Sequence, residues 1–132
     1  MVSKVYYVGK IDMEIYSCVT DDITTDDLII TEKQVEHIFE RHPNDFKDTK
    51  DVITCIQKAV SSPDYIVESE KPFTAFILKE LSYEKEKSRL IMRIKTSSDP
   101  ENYRNSIITF QKMREKEWNR ILKNKKILYK SE

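Results

Sequence analysis

The spacing of the apolar residues changes at Pro63, and this change limits the fold more than any other feature of the sequence. Between Thr31 and Pro63, apolar residues recur every three or four positions, which is typical of helices that bury one face. After Pro63, short β-branched and aromatic runs alternate with polar turns, which is typical of strands. No helical pattern separates those runs, so they predict an antiparallel meander. The sequence therefore predicts an α+β fold.

Three helices are predicted, two before the meander and one after it. Thr31 and Gln34 form a capping box, T-x-x-Q, at the start of the first helix. This helix is expected to end near Arg41, because a proline follows two residues later and disfavours helical geometry in the residue before it. The second helix is predicted from about 48 to 60. The C-terminal helix is predicted from about 111 to 123, at the same helical spacing.

Strands are predicted on both sides of the first two helices. Val5–Val8 and Ile15–Val19 are β-branched and aromatic, and they are expected to pair as a hairpin around the single glycine, Gly9. The later strands are predicted at Tyr65–Glu68, Phe73–Leu81, Arg89–Thr96 and Ser106–Phe110. The apolar residues Ile127–Tyr129 are expected to pack back on the domain.

Length and composition indicate one globular domain, 1–132, with 39% hydrophobic and 35% charged residues. No apolar run approaches the roughly 20 residues of a membrane span, and the N-terminus lacks the features of a signal peptide. Cys18 and Cys55 lie in apolar stretches and are expected to be buried free thiols. These features predict a soluble protein without a membrane segment, in the cytoplasm of its own cell or of a target cell.

Charge is distributed unevenly, although the formal net charge is zero. Residues 1–51 carry 6 Lys and Arg against 12 Asp and Glu, a net charge of −6. Residues 111–130 carry 8 Lys and Arg against 2 Glu, a net charge of +6. The balance argues against nucleic-acid binding through bulk charge. The basic segment is either one solvated face of an amphipathic helix or a local patch that attracts phosphate.

Both histidines lie in one short segment, VEHIFERHP, as His37 and His42. His37 and Arg41 are four residues apart on the first predicted helix and are expected to point the same way. Imidazoles exchange protons near neutral pH, so this segment could serve acid–base catalysis. The alternative interpretation is polar surface with a helix-end histidine favoured by the helix dipole. Metal binding is not expected, because no cysteine or further histidine completes a ligand set.

The other candidate site residues lie on or near the later strands and carry hydroxyl, cationic or aromatic side chains. Ser106 and Thr109 lie on the last predicted strand, where regular alternation places them on opposite faces. Arg93 and Lys95 share one face of the preceding strand and could bind phosphate, although a solvated face is the alternative interpretation. Tyr129 lies beside a lysine cluster, and aromatic rings among cations can stack bases.

Five segments carry a resemblance to a known family. They are VEHIFERHP at Val35–Pro43, SSPDYI at Ser61–Ile66, RLIMRIK at Arg89–Lys95, NSIITF at Asn105–Phe110 and KNKKILYK at Lys123–Lys130. In their order and spacing, residues 28–130 resemble the phage-associated nuclease domains of the barnase–EndoU–colicin–RelE superfamily. The resemblance implies a helix-then-sheet fold. It agrees with the pattern read above: N-terminal strands and helices, a four-stranded antiparallel sheet and a C-terminal helix. Residues 1–27 are left as a variable N-terminal extension that is expected to be largely β.

The same resemblance implies an endoribonuclease that works without a metal or other cofactor. RNA is then the expected partner, in a phage effector or toxin, and an immunity or antitoxin protein is a candidate second partner. The expected reaction is general acid–base transesterification at the 2′-hydroxyl. The expected catalytic residues are His37, His42, Ser106 and Thr109, and the expected substrate-binding residues are Arg41, Arg93, Lys95 and Tyr129.

Two other functions stay open on the sequence alone. The chain could be a non-catalytic RNA-binding or phage-particle module on the same fold. It could also be an inhibitor of such a nuclease, a role that its acidic first half would suit. The catalytic interpretation makes one geometric demand: His37 and His42 should meet Thr109 in a single solvent-open pocket.

Overall fold

A computed structural model of the protein describes residues 4–81 and 86–132, and within them seven strands form one sheet. In chain order the elements are β1 (Val5–Lys10), α1 (Met13–Tyr16), β2 (Asp27–Thr31), α2 (Glu32–Arg41), α3 (Thr49–Ser61), β3 (Tyr65–Val67), β4 (Thr74–Glu80), β5 (Lys87–Arg93), β6 (Asn105–Met113), α4 (Glu115–Asn124) and β7 (Ile127–Lys130). None of the helices in these two ranges is long and apolar enough to cross a membrane.

The α+β class is confirmed, but the sheet is wider than predicted. Its strands lie in the order β1-β2-β6-β5-β4-β3-β7. The predicted four-stranded meander is present as β3 to β6, with two strands added at one edge and one at the other. β2 and β6 are parallel, whereas the other neighbours are antiparallel. The added pairings join residues far apart in the chain, such as Leu28 with Asn105, and no local pattern indicates them.

The predicted hairpin between Val5–Val8 and Ile15–Val19 does not form. β1 pairs with β2 instead, and the four-residue helix α1 occupies the predicted second strand. Asp12 caps this helix, because its carboxylate accepts hydrogen bonds from the amides of Glu14 at 3.0 Å and Ile15 at 3.3 Å. The predicted strand Ile15–Val19 therefore begins as the end of a helix. Its apolar residues still reach the core, where Tyr16 is fully buried.

Helices α2 and α3 begin where side chains cap free backbone amides. Thr31 Oγ1 accepts a hydrogen bond from the Gln34 amide at 3.1 Å, which is the threonine half of the predicted capping box. Asp48 Oδ1 does the same for the Asp51 amide at 2.8 Å. The predicted end of the first of these helices, near Arg41, is confirmed.

The C-terminal helix is confirmed, but it begins at Glu115 and not near Gln111. Residues 111–113 continue β6, where they pair with residues 87–89 of β5. The sheet satisfies the backbone amides of this segment, so the helix starts only after it. The apolar C-terminal segment packs back as predicted, in the form of β7 paired with β3.

The two faces of the sheet are covered differently. The α2–α3 face lies under those two helices and forms the main core, which includes Val35, Val52, Leu90, Ile107 and Phe110. The α4 face lies partly under α4, whose Trp118 and Ile121 form a smaller core with Val67, Phe76 and Leu78. Away from α4 this face is open, and Tyr7 of β1 is 57% exposed there.

Asn105 fixes the junction between the parallel strands. Its side chain is fully buried. Its Oδ1 accepts a hydrogen bond from the Lys95 amide at 2.8 Å, and its Nδ2 donates to the carbonyls of Thr25 at 2.8 Å and Asp27 at 3.0 Å. One amide side chain therefore ties the start of β6 to the segment that enters β2 and to the segment that leaves β5.

Candidate functional site

A β-bulge in β6 decides which face carries the predicted hydroxyl groups. Ile91 of β5 pairs with Thr109, but the next residue, Met92, pairs with Ile107, so Ile108 is the extra residue on β6. An extra residue reverses the alternation of side chains beyond it.

Because of this bulge, Ser106 and Thr109 lie on the same face, whereas regular alternation predicts opposite faces. Directly paired residues of antiparallel strands share a face. Ser106 pairs with Arg93 and Thr109 pairs with Ile91, which packs in the core under α4. Three predicted site residues, Ser106, Thr109 and Arg93, are thus together on the α4 face.

The predicted residues of α2 lie on the other side of the sheet. α2 packs on the α2–α3 face through Val35 and Ile38, which are both buried. Arg41 is exposed and His37 is half-buried, on the side of α2 that their four-residue spacing gives them in common. The cavity beside His37 is lined by residues of α2: Lys33, Gln34, Glu36, His37 and Glu40.

The predicted meeting of the imidazoles with Thr109 is therefore wrong. Helix α2 packs on the α2–α3 face, whereas the bulge in β6 turns Thr109 to the α4 face. The sheet therefore lies between the imidazoles and the Thr109 hydroxyl. The other two predicted substrate-binding residues, Lys95 and Tyr129, also lie apart from each other. Lys95 follows the end of β5, and Tyr129 on β7 is half-buried against the main core, four strands from β6.

His42 has the surroundings that His37 lacks. It ends α2, where its amide donates to the Ile38 carbonyl at 2.8 Å. Its Nδ1 lies 3.9 Å from Asp45 Oδ2, and the two side chains are 28% and 23% exposed. The same Asp45 oxygen accepts a hydrogen bond from the Lys112 amide at 2.9 Å. An imidazole is thus paired with a carboxylate that the last strand of the meander holds in place.

A cleft of about 560 Å³ opens beside this pair, between the α2–α3 loop, α3 and the ends of β5 and β6. Its volume is within the range of about 300–1,000 Å³ that is usual for small-ligand sites. Phe46 stacks on Phe110 with ring centroids 4.9 Å apart. The lining residues are Pro43, Asn44, Asp45, Phe46, Lys47, Asp51, Cys55, Lys58, Leu81, Glu86 and Lys112.

Three lysines line this cleft, which is called the lysine-lined cleft below, and each could contact an anionic ligand. Burial lowers the pKa of Lys112, but its hydrogen bond to Glu86 and the charges of Glu86 and Asp45 outweigh burial, so the pKa stays above its ordinary value. Its ammonium group lies 5.7 Å from the Phe46 ring centroid. Lys47 and Lys58 line the same cleft. Asp45, Asp51 and Glu86 also line the cleft, so its three lysines are balanced by three carboxylates. The imidazole of His42 lies beside two of the lining residues, Pro43 and Asp45.

The cleft also contains a thiol that is poorly suited to act as a nucleophile. Burial raises the pKa of Cys55 to about 11, with a further contribution from the charge of Asp51 and a hydrogen bond to it. The thiolate is the reactive form, and it is scarce at neutral pH when the pKa is this high. In residues 4–81 and 86–132, no cluster of three or more His, Cys, Asp or Glu side chains could hold a metal ion.

Sequence reasoning identified His42 but missed its partners. Asp45 follows it by three residues, and this spacing could have indicated a carboxylate near the imidazole. Lys58 and Lys112 carry no such signal, because only the packing of α3 and β6 brings them to the loop.

Comparison with known proteins agrees with this architecture and with the resemblance read from the sequence. The family model described as phage-Barnase-EndoU-ColicinE5/D-RelE like nuclease 2 matches residues 5–130. A search of curated proteins found no significant match, and neither did a search of solved structures. A match over nearly the whole chain establishes membership: the chain belongs to the phage-Barnase-EndoU-ColicinE5/D-RelE like nuclease 2 family.

Proposed function

We propose that the protein is a metal-independent endoribonuclease that cleaves RNA in the lysine-lined cleft. The observation that carries this proposal is the pairing of the His42 imidazole with Asp45, a carboxylate that lines a cleft with three lysines. Family membership supports nuclease chemistry in general. RNA is the proposed substrate because an imidazole can activate a 2′-hydroxyl directly, and DNA lacks that group.

The proposed reaction uses four side chains in or beside the cleft. His42 takes the proton of the 2′-hydroxyl, and Asp45 stabilises the imidazolium that results. The 2′-oxygen then attacks phosphorus, and the bond to the 5′-oxygen breaks, leaving a 2′,3′-cyclic phosphate. The 5′-oxygen takes up a proton from Lys58 or from water. Lys112 and Lys58 stabilise the negative charge that develops on the non-bridging oxygens.

The other predicted site residues have subordinate roles in this proposal. Arg41 precedes His42 and lies exposed at the end of α2, where it can contact a neighbouring phosphate of the strand. The roles proposed for Ser106, Thr109 and Arg93 are contacts with substrate away from the scissile bond. His37, Lys95 and Tyr129 are more distant candidates for such contacts.

An RNA-cleaving phage effector or toxin damages the cell that makes it. We therefore include in the proposal an immunity or antitoxin protein in the producing cell. Expression without such a partner should slow growth, and the H42A variant should relieve the toxicity.

The decisive experiment is cleavage of total RNA in the presence of EDTA. The H42A variant should lose about 100-fold or more of kcat/KM, as expected for removal of a general base. K58A should also lose activity, whereas K50A, an exposed lysine of the same helix outside the cleft, is the matched control. Products of the wild type should end in 2′,3′-cyclic phosphate.

H37A decides between the two imidazoles. We expect it to retain most of the activity, because His37 lines a separate cavity formed by residues of α2. Equal losses in H37A and H42A would contradict the cleft as the catalytic site, and wild-type protein that leaves RNA intact would contradict the proposed function.

A further inference from the structure

Phe73 is an exposed aromatic residue in a costly backbone conformation. Its φ is +56°, a left-handed geometry that side chains other than glycine rarely adopt. The ring is 38% exposed at the entrance to β4. The neighbouring contacts hold this geometry: the Ile94 amide donates to the Phe73 carbonyl at 2.9 Å, and the Thr74 hydroxyl donates to the Pro72 carbonyl at 3.0 Å. Strain of this kind is concentrated at functional sites.

Arg93 lies over the Phe73 ring with its guanidinium carbon 5.6 Å from the ring centroid. One terminal nitrogen donates to Asp99 Oδ1 at 3.0 Å, and the other donates to the Ile94 carbonyl. A guanidinium has five N–H groups, so these two bonds leave others able to bind an acceptor. The Arg93 side chain is therefore held in place while some of its N–H groups stay available to a ligand.

Asp99 is itself fixed, and so is the loop that carries it. Its other carboxylate oxygen accepts the Thr96 amide at 2.8 Å. This bond, with the charge of Arg93, holds the pKa of Asp99 below its ordinary value. The Ser97 hydroxyl donates to Asp22 at 2.7 Å and pins the loop to the segment before β2. The guanidinium above Phe73 is thus positioned by Asp99, which is itself held by hydrogen bonds within its loop.

We propose that Phe73 and Arg93 form a base-stacking subsite for single-stranded RNA on the α4 face, separate from the lysine-lined cleft. A nucleobase stacks on the exposed side of Phe73, and the adjacent phosphate takes hydrogen bonds from Arg93 and from Ser106, which is paired with Arg93 across β5 and β6. Stacking of this type tolerates any base. The identity of the polymer rests on the proposed function, but binding here does not require cleavage.

The test measures binding of a fluorescein-labelled 12-nucleotide oligouridine to the H42A protein by fluorescence anisotropy. F73L should weaken binding about 5- to 150-fold, the range expected from the loss of one stacked base. R93K should also weaken it, because lysine keeps the charge but loses the planar fork. Y7L is the matched control: Tyr7 is exposed on the same face three strands away, about 14 Å from Arg93 along the sheet.

F73G separates binding from folding. Glycine adopts the positive φ readily, and this relief of strain offsets part of the packing lost with the ring, so the variant should keep the circular dichroism spectrum of H42A protein and bind only weakly. Unchanged affinity in F73L and F73G, or no binding of the oligonucleotide to H42A protein, would overturn the subsite. If wild-type protein fails to cleave RNA but binds it in a Phe73-dependent way, the subsite stands and only the proposed reaction fails.

Discussion

The two histidines show how strongly the surroundings of a residue determine its chemical use. They are five positions apart and both are half-buried, but His42 pairs with Asp45 beside the cleft that Lys58 and Lys112 line. His37 instead lines a cavity formed by residues of α2 itself. Their presence in one segment was visible in the sequence. The difference between them depends on the loop after α2, which returns Asp45 toward the end of the helix.

Cys55 provides a test of the electrostatics of the cleft. With a pKa of about 11, the thiol should react slowly with iodoacetamide at pH 7, and the rate should rise as the pH passes through about 11, where the thiolate forms. C18S protein isolates this thiol. In D51N the rise should move to lower pH, because the asparagine removes the negative charge that disfavours the thiolate. An alkylation midpoint below pH 9 in C18S protein would contradict the described surroundings.

Helices α2 and α3 show that a helix start capped by a side chain can be predicted from the sequence. Their starts depend on a hydrogen bond between residues three positions apart, Thr31 with Gln34 and Asp48 with Asp51. Such caps are visible as short sequence motifs. α1 was missed because its apolar residues also suit a strand, and a four-residue helix offers too little periodicity to decide.

The cap of α3 predicts the effect of two substitutions. D48A should lower the free energy of unfolding by about 1 kcal/mol, because the Asp51 amide loses its acceptor. D48N should have little effect, since asparagine is an equally good cap. Urea unfolding followed by circular dichroism measures both. The cap would have no role in stability if the two variants unfolded at the same urea concentration as the wild type.

For the whole molecule, the parallel pairing of β2 with β6 is the feature that joins the chain's two halves. It adds β1 and β2 to the meander, and Asn105 is the buried polar side chain at that junction. Its three hydrogen bonds reach segments 10 to 80 residues away along the chain. The acidic first half and the basic C-terminal segment are thereby parts of one sheet.

Loss of the Asn105 side chain should weaken this junction. N105A should lower the free energy of unfolding by about 3 kcal/mol, because one amide and two carbonyls lose their partner in a buried site. Hydrogen exchange should increase first in β1 and β2. N119A, on the exposed surface of α4, is the control. Protection of β1 and β2 equal to the wild type in N105A would show that the strands are held by other contacts.

The sequence alone determined the α+β class, the start and end of α2, the start of α3, the four meander strands and the family. These properties depend on hydrogen bonds and periodicities among near neighbours, or on motifs in fixed order. The tertiary structure decided the seven-stranded sheet, the shared face of Ser106 and Thr109, and the meeting of Asp45 with Lys112 across 67 residues. Those outcomes depend on strand register and on one bulge, and both are set by packing between distant segments.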